Sequence, residues 1–313
     1  MRLEKPAAVG IGNFDGVHLG HQKMLREVMS SARARSLRTI ALTFDPHPAT
    51  VLGRAAPATL TTLARKIELI RRVGIDDVFV KPFDTELSTW SPERFASELL
   101  KETLGARVVI VGGNFRFGHK AQGNFAALRE LGQRLGFDVP ELEVIGDARG
   151  AFSSTRVRDA LARGDLADAN AVLGRWHAFS GVVARGAQRG RTIGFPTANV
   201  EEVVEVVPAR GVYAVVVDAL DAAGEASALG RGVMNVGVRP TVDSSERSSQ
   251  EVHLFDFDRD VYGARVRVHL VERLRDEKKF GSLDALRAQI AIDAEAARKI
   301  TAAIATPIAG AFG

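Results

Sequence analysis

Cysteine is absent from the sequence. Its absence excludes disulfide bonds, thiolate metal sites and cysteine nucleophiles, and it suits a reducing compartment. The chain also lacks any run of about 18 apolar residues, the length that a membrane-spanning helix needs. Residues 1–6 lack the apolar segment of a secretory signal. These absences predict a cytoplasmic protein that does not bind a membrane.

Tyrosine and tryptophan are scarce, with two of each in 313 residues. The formal net charge is +4, but the basic residues are scattered and form no run of five or more. Nucleic-acid binding requires a basic stripe or stacking aromatic side chains, so we predict no nucleic-acid partner. A modest positive charge instead favours small anionic substrates. The oligomeric state is left open by the sequence.

The first half of the chain alternates short apolar segments with longer amphipathic ones. Residues 7–11 and 39–44 have the composition of buried strands, whereas residues 63–73 have apolar side chains at helical spacing. This alternation predicts βαβ units and therefore a doubly wound, parallel sheet.

The pattern changes near residue 174. Short β-rich segments follow, separated by Gly, Pro, Asp and Ser clusters, and residues 282–303 form a final helix that opens with a serine cap. Such a series predicts a compact antiparallel β-barrel. The length favours two domains, and we place them at residues 1–173 and 174–313.

A glycine-rich segment, residues 12–21, follows the first predicted strand and opens a helix. Gly12 and Gly20 would let the backbone approach a phosphate, and the new helix presents free N–H groups to it. Asp15, in the same segment, is a further candidate ATP-binding residue. His18 and His21 lie three residues apart and could both donate to phosphate oxygens. The glycine spacing differs from that of a dinucleotide-binding loop, and no clear acidic partner ends the next strand where a ribose would sit, so that alternative is set aside.

A second phosphate-binding segment is predicted at residues 153–158. Ser154 and Thr155 place hydroxyls at a helix start, and Arg158 adds a fixed charge one turn later. An ordinary helix cap is the alternative interpretation of this segment.

The densest motif of the second half is residues 186–199. Gly190, Arg191 and Gly194 could form a loop over nucleotide phosphates, although a Gly/Pro turn between strands is the alternative. Thr197 and Asn199 offer neutral oxygens that suit Mg²⁺. Glu251 begins an alternating strand and is the candidate to accept a proton from a hydroxyl substrate, although an isolated strand glutamate is usually just solvated.

These motifs resemble those of known proteins. Residues 12–22 and 153–158 resemble the signature motifs of the HxGH nucleotidyltransferases. Residues 43–48 and 113–118 are similar to the flavin-side motifs of the bacterial bifunctional riboflavin kinase/FAD synthetases. The resemblance implies that Pro46 and Asn114 help to hold the isoalloxazine ring.

The resemblance extends to the second half. Residues 190–199 resemble the riboflavin kinase signature, and Glu251 falls where that family carries its catalytic carboxylate. The family implies a six-stranded barrel with a terminal helix, Mg²⁺ as cofactor and ATP as co-substrate. It also implies two reactions, from riboflavin to FMN and from FMN to FAD. Residues 244–249 depart from the family pattern and are predicted to form a mobile loop.

Three alternatives remain at this point. The first is a nucleotidyltransferase for another phosphorylated substrate, with the barrel as a recognition module. The second is an RNA-binding protein of aminoacyl-synthetase ancestry, and the third is a flavin carrier. The set of Thr197, Asn199 and Glu251 argues against the first, the lack of a basic stripe against the second, and the two phosphate-binding segments against the third.

Overall fold

The computed structural model describes residues 6–185, 195–240 and 246–306. The chain folds into two compact units. The first contains the residues up to Pro57 together with Leu63–Ser153, and the second contains Ala58–Thr62 together with the residues from Ser154 onward.

The first unit is built on a four-stranded parallel sheet in the order β3-β2-β1-β4. The strands are β1 (Ala7–Ile11), β2 (Arg38–Asp45), β3 (Asp77–Pro82) and β4 (Ala106–Val111). A two-stranded hairpin, β5 (Gly146–Asp147) and β6 (Gly150–Ala151), follows later. The strand order reverses between β1 and β4, which confirms the predicted doubly wound sheet.

The helices of this unit connect the strands. They are α1 (Leu19–Arg35), α2 (Pro48–Val51), α3 (Leu63–Val73), α4 (Thr85–Ser88), α5 (Pro92–Arg94) and α6 (Phe125–Leu135), with a π-helix at Phe95–Thr103 and a 3₁₀ turn at His119–Ala121. All five residues of β1 are buried, as expected for a central parallel strand that is covered on both faces.

The register of the sheet fixes where the site lies. Ile11 pairs with Leu42 on one side and with Val111 on the other. The segments that follow β1, β2 and β4 therefore leave the sheet at the same edge. In doubly wound sheets this carboxyl edge, at the point where the strand order reverses, is where ligands bind.

The second unit contains a closed antiparallel barrel of six strands in the order β10-β11-β8-β7-β12-β9. The strands are β7 (Ala178–Ala184), β8 (Ala198–Glu201), β9 (Gly211–Leu220), β10 (Ala226–Pro240), β11 (Glu246–Leu254) and β12 (Arg265–Arg275). The predicted barrel is confirmed. The loop predicted at residues 244–249 is wrong from Glu246 onward, because the ladder of β11 with β10 continues to Glu246 opposite Pro240; residues 244 and 245 lie outside the described residues.

Among the described residues of the second unit, three helices accompany the barrel: α7 (Ser154–Arg163), α8 (Leu166–Leu173) and α9 (Leu283–Thr301). Ser282 caps α9, as predicted, by accepting a hydrogen bond from the Ala285 N–H. α9 packs Ala294 and Ala297 against Val212 and Ala214 of β9.

Helices α7 and α8 precede the predicted domain boundary at residue 174, but they form hydrogen bonds with residues that follow it. The Ala209 N–H donates to Leu161 O at 2.9 Å, and Asn170 Nδ2 donates to Leu270 O at 3.1 Å. The boundary at residue 174 stays a prediction. Within the described ranges, the structure contains no helix with the length and apolar composition needed to cross a membrane.

Candidate active sites

The loop between β1 and α1 has an unusual backbone. Phe14 and Val17 have positive φ angles of 48° and 39°, a region that bulky and β-branched residues rarely adopt. Both side chains are completely buried. The apolar packing of these side chains offsets the backbone strain, which is a pattern found at ligand-binding loops.

The two predicted histidines lie together at the start of α1. His18 is the N-cap of the helix, and its Nδ1 accepts a hydrogen bond from the His21 N–H at 3.4 Å. The two rings stack with their centroids 3.7 Å apart, and the edge of Phe14 packs against His21 at 5.3 Å. Because Nδ1 of His18 accepts, the neutral ring carries its proton on Nε2 and can donate it to a ligand.

Gly20 is required by close packing at this helix start. A Cβ at this position would lie 3.0 Å from Cε1 of His18 and 3.1 Å from Phe152 O. At Gly12 a Cβ would lie 3.3 Å from the Phe14 ring. Both predicted glycines thus shape the loop. Asp15, which lies between them along the chain, is buried.

Hydrogen bonds connect the segment at the end of β2 to the loop after β1, and they involve Asn13 and His47, which were not predicted as site residues. Asn13 Nδ2 lies 3.1 Å from His47 Nε2, and Thr43 Oγ1 donates to Asn13 O at 3.2 Å. His47 also caps α2 by accepting from the Ala49 N–H at 3.1 Å. Pro46 stands between these contacts and follows a cis peptide bond.

Asn114 follows β4 and lies at the same edge of the sheet as the β1 and β2 exits. Its Oδ1 would be 3.4 Å from a Cβ at Gly112. The two predicted flavin residues, Pro46 and Asn114, therefore leave the sheet on either side of the histidine loop.

Residues 154–158 belong to the second unit, and the two arginines of this segment differ in their partners. Arg156 makes two hydrogen bonds to Asp168, at 3.1 and 2.6 Å, which join α7 to α8. Arg158 donates through Nε to Ala58 O at 2.6 Å. Ser154 is half-buried and Thr155 is exposed on the first turn of α7.

The barrel brings three polar residues into one row. Glu251 of β11 pairs with Asn199 of β8 on one side and with Asn235 of β10 on the other. Side chains of directly opposed residues point to the same face of an antiparallel sheet, so the two amides flank the carboxylate. Asn199 is buried, whereas Glu251 and Thr197 are half-buried.

Gly190, Arg191 and Gly194 lie outside the described residues. Asn235 was missed as a site residue. Its position opposite Glu251 depends on strand register, which is set by long-range pairing and cannot be read from local sequence.

Comparison with known proteins agrees with both halves. The FAD synthetase family model matches residues 1–156, and the riboflavin kinase family model matches residues 173–301. A bifunctional riboflavin kinase/FMN adenylyltransferase of Escherichia coli K12 is 41% identical over 290 residues, which cover 92% of this chain and 91% of the relative. The relative of the same description from Haemophilus influenzae is 39% identical over 95% of both chains.

The chain belongs to the bifunctional riboflavin kinase/FMN adenylyltransferase family. The FAD synthetase match of this family includes His18, His21, Ser154 and Thr155, and it ends two residues before Arg158. The riboflavin kinase match includes the row of Asn199, Asn235 and Glu251.

A solved structure also matches the family fold along nearly the whole chain. The crystal structure described as a macrolide-efflux protein from Streptococcus pneumoniae superposes with a TM-score of 0.83 at 29% identity. The match covers 95% of this chain and 98% of that one.

Proposed function

We propose that the chain converts riboflavin to FMN and then FMN to FAD, with ATP as the donor in both steps. The observation that carries this proposal is the 41% identity over 92% of the chain to an enzyme described as having both activities. The two residue sets support it, because the histidine pair and the row around Glu251 each have the chemistry that one step requires.

The kinase step needs a group that accepts a proton. Glu251 takes the proton of the terminal ribityl hydroxyl while the hydroxyl oxygen bonds to the γ-phosphorus of ATP. The bond from the γ-phosphorus to the bridging oxygen breaks, and ADP leaves. Asn199 and Asn235 flank the carboxylate and hold it in position.

The donor set near Glu251 fits Mg²⁺. Thr197 offers a hydroxyl oxygen and Asn199 an amide oxygen, which are hard ligands of the kind this ion takes. No group of three or more His, Asp or Glu side chains able to hold a metal is found in the part of the chain that the structure describes, so ATP oxygens and water would complete the shell. When bound, Mg²⁺ would neutralise charge on the transferred phosphate.

The adenylyl-transfer step needs positioning more than a base. An oxygen of the FMN phosphate bonds to the α-phosphorus of ATP, and the bond to the β-phosphate oxygen breaks to release pyrophosphate. The phosphate nucleophile is already ionised, so no proton acceptor is required. His18 and His21 donate to the phosphate oxygens, and charge-assisted hydrogen bonds contribute about 1.5–3 kcal/mol each.

Further roles are proposed on the resemblance and the positions together. Gly12, Asp15 and Gly20 shape the ATP-binding loop, and Pro46 and Asn114 hold the flavin ring of FMN. Ser154, Thr155 and Arg158 form a second phosphate-binding segment for ATP, and Gly190, Arg191 and Gly194 cover the phosphates in the kinase step. We also propose that the enzyme works in the cytoplasm on small molecules alone.

The test is to mix the purified protein with riboflavin, ATP and Mg²⁺ and to resolve the flavins by chromatography over time. We expect FMN to appear first and then to give way to FAD, and EDTA to stop the kinase step. FAD from supplied FMN, with riboflavin left unchanged, would contradict the kinase assignment. Unchanged FMN would contradict the adenylyltransferase assignment and favour another phosphorylated substrate.

A further inference from the structure

A buried lysine lies on the face of α3 that turns inward. Lys66 is only 9% exposed, on a helix whose buried residues are Arg65, Lys66, Leu69 and Ile70. A buried ammonium group is costly unless a carboxylate or another acceptor satisfies it. The groups around the Lys66 ammonium therefore indicate whether its charge has a structural role or a role in binding.

Two of the other three cations of α3 are paired within the helix. Arg65 and Arg72 both bind Glu68, at 2.5 and 2.9 Å. Lys66 differs: within the described residues its ammonium has no ion pair shorter than 4.0 Å and no hydrogen bond. It is held only by longer-range attraction to Asp15 and Asp45.

The two carboxylates that act on the charge of Lys66 both belong to segments at the carboxyl edge of the parallel sheet. Asp15 belongs to the loop that leads into the histidine pair, and Asp45 ends β2 immediately before Pro46. The first segment is the proposed ATP-binding loop and the second is the proposed flavin-binding segment. Lys66 is thus near the region where the phosphates of the two substrates must meet.

Burial and the nearby carboxylates have opposite effects on the charge of Lys66. Burial lowers its pKa below the ordinary value, and Asp15 and then Asp45 counteract this by raising the pKa. Buried, perturbed groups of this kind cluster at functional sites. A phosphate that binds beside Lys66 would supply the close acceptor that the described residues do not.

We propose that Lys66 is a substrate-binding residue of the adenylyl-transfer site and that its ammonium pairs with a phosphate oxygen of ATP or FMN. The proposal rests on the proposed adenylyl-transfer function. Asp15 and Asp45 favour the charged form of the lysine until the substrates bind.

The experiment compares Lys66→Met with Arg71→Met in the full chain. Arg71 is an exposed cation on the same helix, so its removal controls for net charge. FAD formation from FMN and ATP is followed with each substrate varied, and pyrophosphate is used as a product inhibitor. Phosphorylation of riboflavin by the same samples is the internal control.

We expect Lys66→Met to lower kcat/KM for FAD formation at least tenfold and Lys66→Arg to retain more activity than Lys66→Met. A raised KM for FMN alone would assign the contact to the FMN phosphate. A raised KM for ATP with weaker pyrophosphate inhibition would assign it to ATP. Arg71→Met should leave all of these constants within twofold of wild type.

Thermal melting separates this role from a structural one. Because Lys66 lacks a close partner before substrate binds, Lys66→Met should melt at or above the wild-type temperature. A lower melting temperature would mean that Lys66 is a structural ion-pair partner, and it would overturn the proposal. Wild-type kinetics in Lys66→Met, or an equal loss in Arg71→Met, would also overturn it. A wild-type protein that makes no FAD would instead contradict the proposed function.

Discussion

At the scale of single residues, the histidine pair shows how one turn of helix prepares a site. His18 uses Nδ1 to cap the helix, so Nε2 is the ring nitrogen that carries the proton of the neutral side chain, while Gly20 keeps the turn free of a side chain that would strike the ring. The positions of both histidines followed from the sequence, because a glycine-rich exit from a buried strand leads directly into the first turn of a helix.

We expect His21→Ala to lower FAD formation by about 10²–10³-fold, the usual cost of removing one donor to a developing phosphate charge. FMN formation should continue at the wild-type rate, because Glu251 and its neighbours belong to the barrel. The measurement is flavin chromatography with riboflavin or FMN as the substrate. Loss of both activities would contradict two independent sites.

Glu251→Gln should give the reverse pattern. The amide keeps the shape of the side chain but cannot accept the hydroxyl proton, so FMN formation should fall by about 10²–10⁴-fold. FAD formation from supplied FMN should be unchanged. Near-normal phosphorylation of riboflavin by this variant would show that another group is the proton acceptor.

Glu205 provides a pH-dependent contribution to stability. Burial raises the pKa of this carboxyl above its ordinary value, against the opposing effect of backbone hydrogen bonds from Glu205 itself and Ser180. A raised folded-state pKa means that the contribution is complete below the unfolded pKa of about 4.3 and is lost as pH rises through the folded value. Glu205→Gln should therefore flatten the fall in stability that begins above the unfolded pKa of about 4.3.

The readout for Glu205 can be limited to the second unit. The chain has two tryptophans, Trp90 and Trp176, and one lies in each unit. In a Trp90→Phe background, Trp176 fluorescence reports urea unfolding of the second unit. Glu225 is exposed, so Glu225→Gln is the matched control and should keep the wild-type dependence of the unfolding free energy on pH. If Glu205→Gln also keeps the wild-type dependence, the assignment to Glu205 is wrong.

Lys66, His47 and Asn235 were not found from the sequence, for one physical reason. Each acquires its role from neighbours that are distant along the chain, namely Asp15 for Lys66, Asn13 for His47 and Glu251 for Asn235. A lysine on an amphipathic helix has the same local pattern whether its side chain is solvated or buried in a site.

At the scale of elements, the junction of α7 and α8 depends on one ion pair. Arg156 and Asp168 have 12% and 5% of their side chains exposed and meet at 2.6 Å. Gly164, with a φ of 76°, and the cap Asp165 separate the two helices. The ion pair then holds the two short helices against each other.

We expect Asp168→Asn to destabilise the second unit by about 3 kcal/mol, because it leaves the largely buried Arg156 without its charged partner. Urea unfolding followed by Trp176 fluorescence measures the change. Asp256→Asn is the control, since Asp256 makes a similar two-bond pair with Arg298 at an exposed position and should change stability little. Equal effects of the two substitutions would contradict the role of burial.

Most elements could be predicted because their side chains repeat with the period of a helix or a strand. β8 was missed, because four residues are too few to establish an alternation and its pairing with β7 and β11 comes from closure of the barrel. The helix that begins at Pro92 is capped by Ser91, a local pattern that sequence can indicate. Its widening into a π-helix at Phe95–Thr103 has no counterpart in the sequence pattern.

At the scale of the whole molecule, the domain boundary can be tested directly. Fragments 154–313 and 174–313 both contain the complete barrel, but only the first contains α7 and α8. Removing these helices uncovers the part of β12 that α8 contacts and deprives the Ala209 N–H of its acceptor. An exposed apolar surface and an unpaired donor both lower stability.

We expect fragment 154–313 to phosphorylate riboflavin and to melt at a higher temperature than fragment 174–313. Calorimetry and the riboflavin kinase assay measure the two properties. Equal melting temperatures would support the boundary at residue 174 and would mean that α7 and α8 contribute nothing to the barrel.

The parallel sheet has edge strands, whereas the closed barrel has none. Every strand of the barrel has a neighbour on both sides, whereas β3 stands at one margin of the parallel sheet with its outer peptide groups unmatched by another named strand in the described ranges. An unmatched strand can recruit a strand from another molecule, and a closed ring of strands cannot. Aggregates that form on heating should therefore grow from the first unit, so mutations that slow precipitation of this enzyme should be sought along β3.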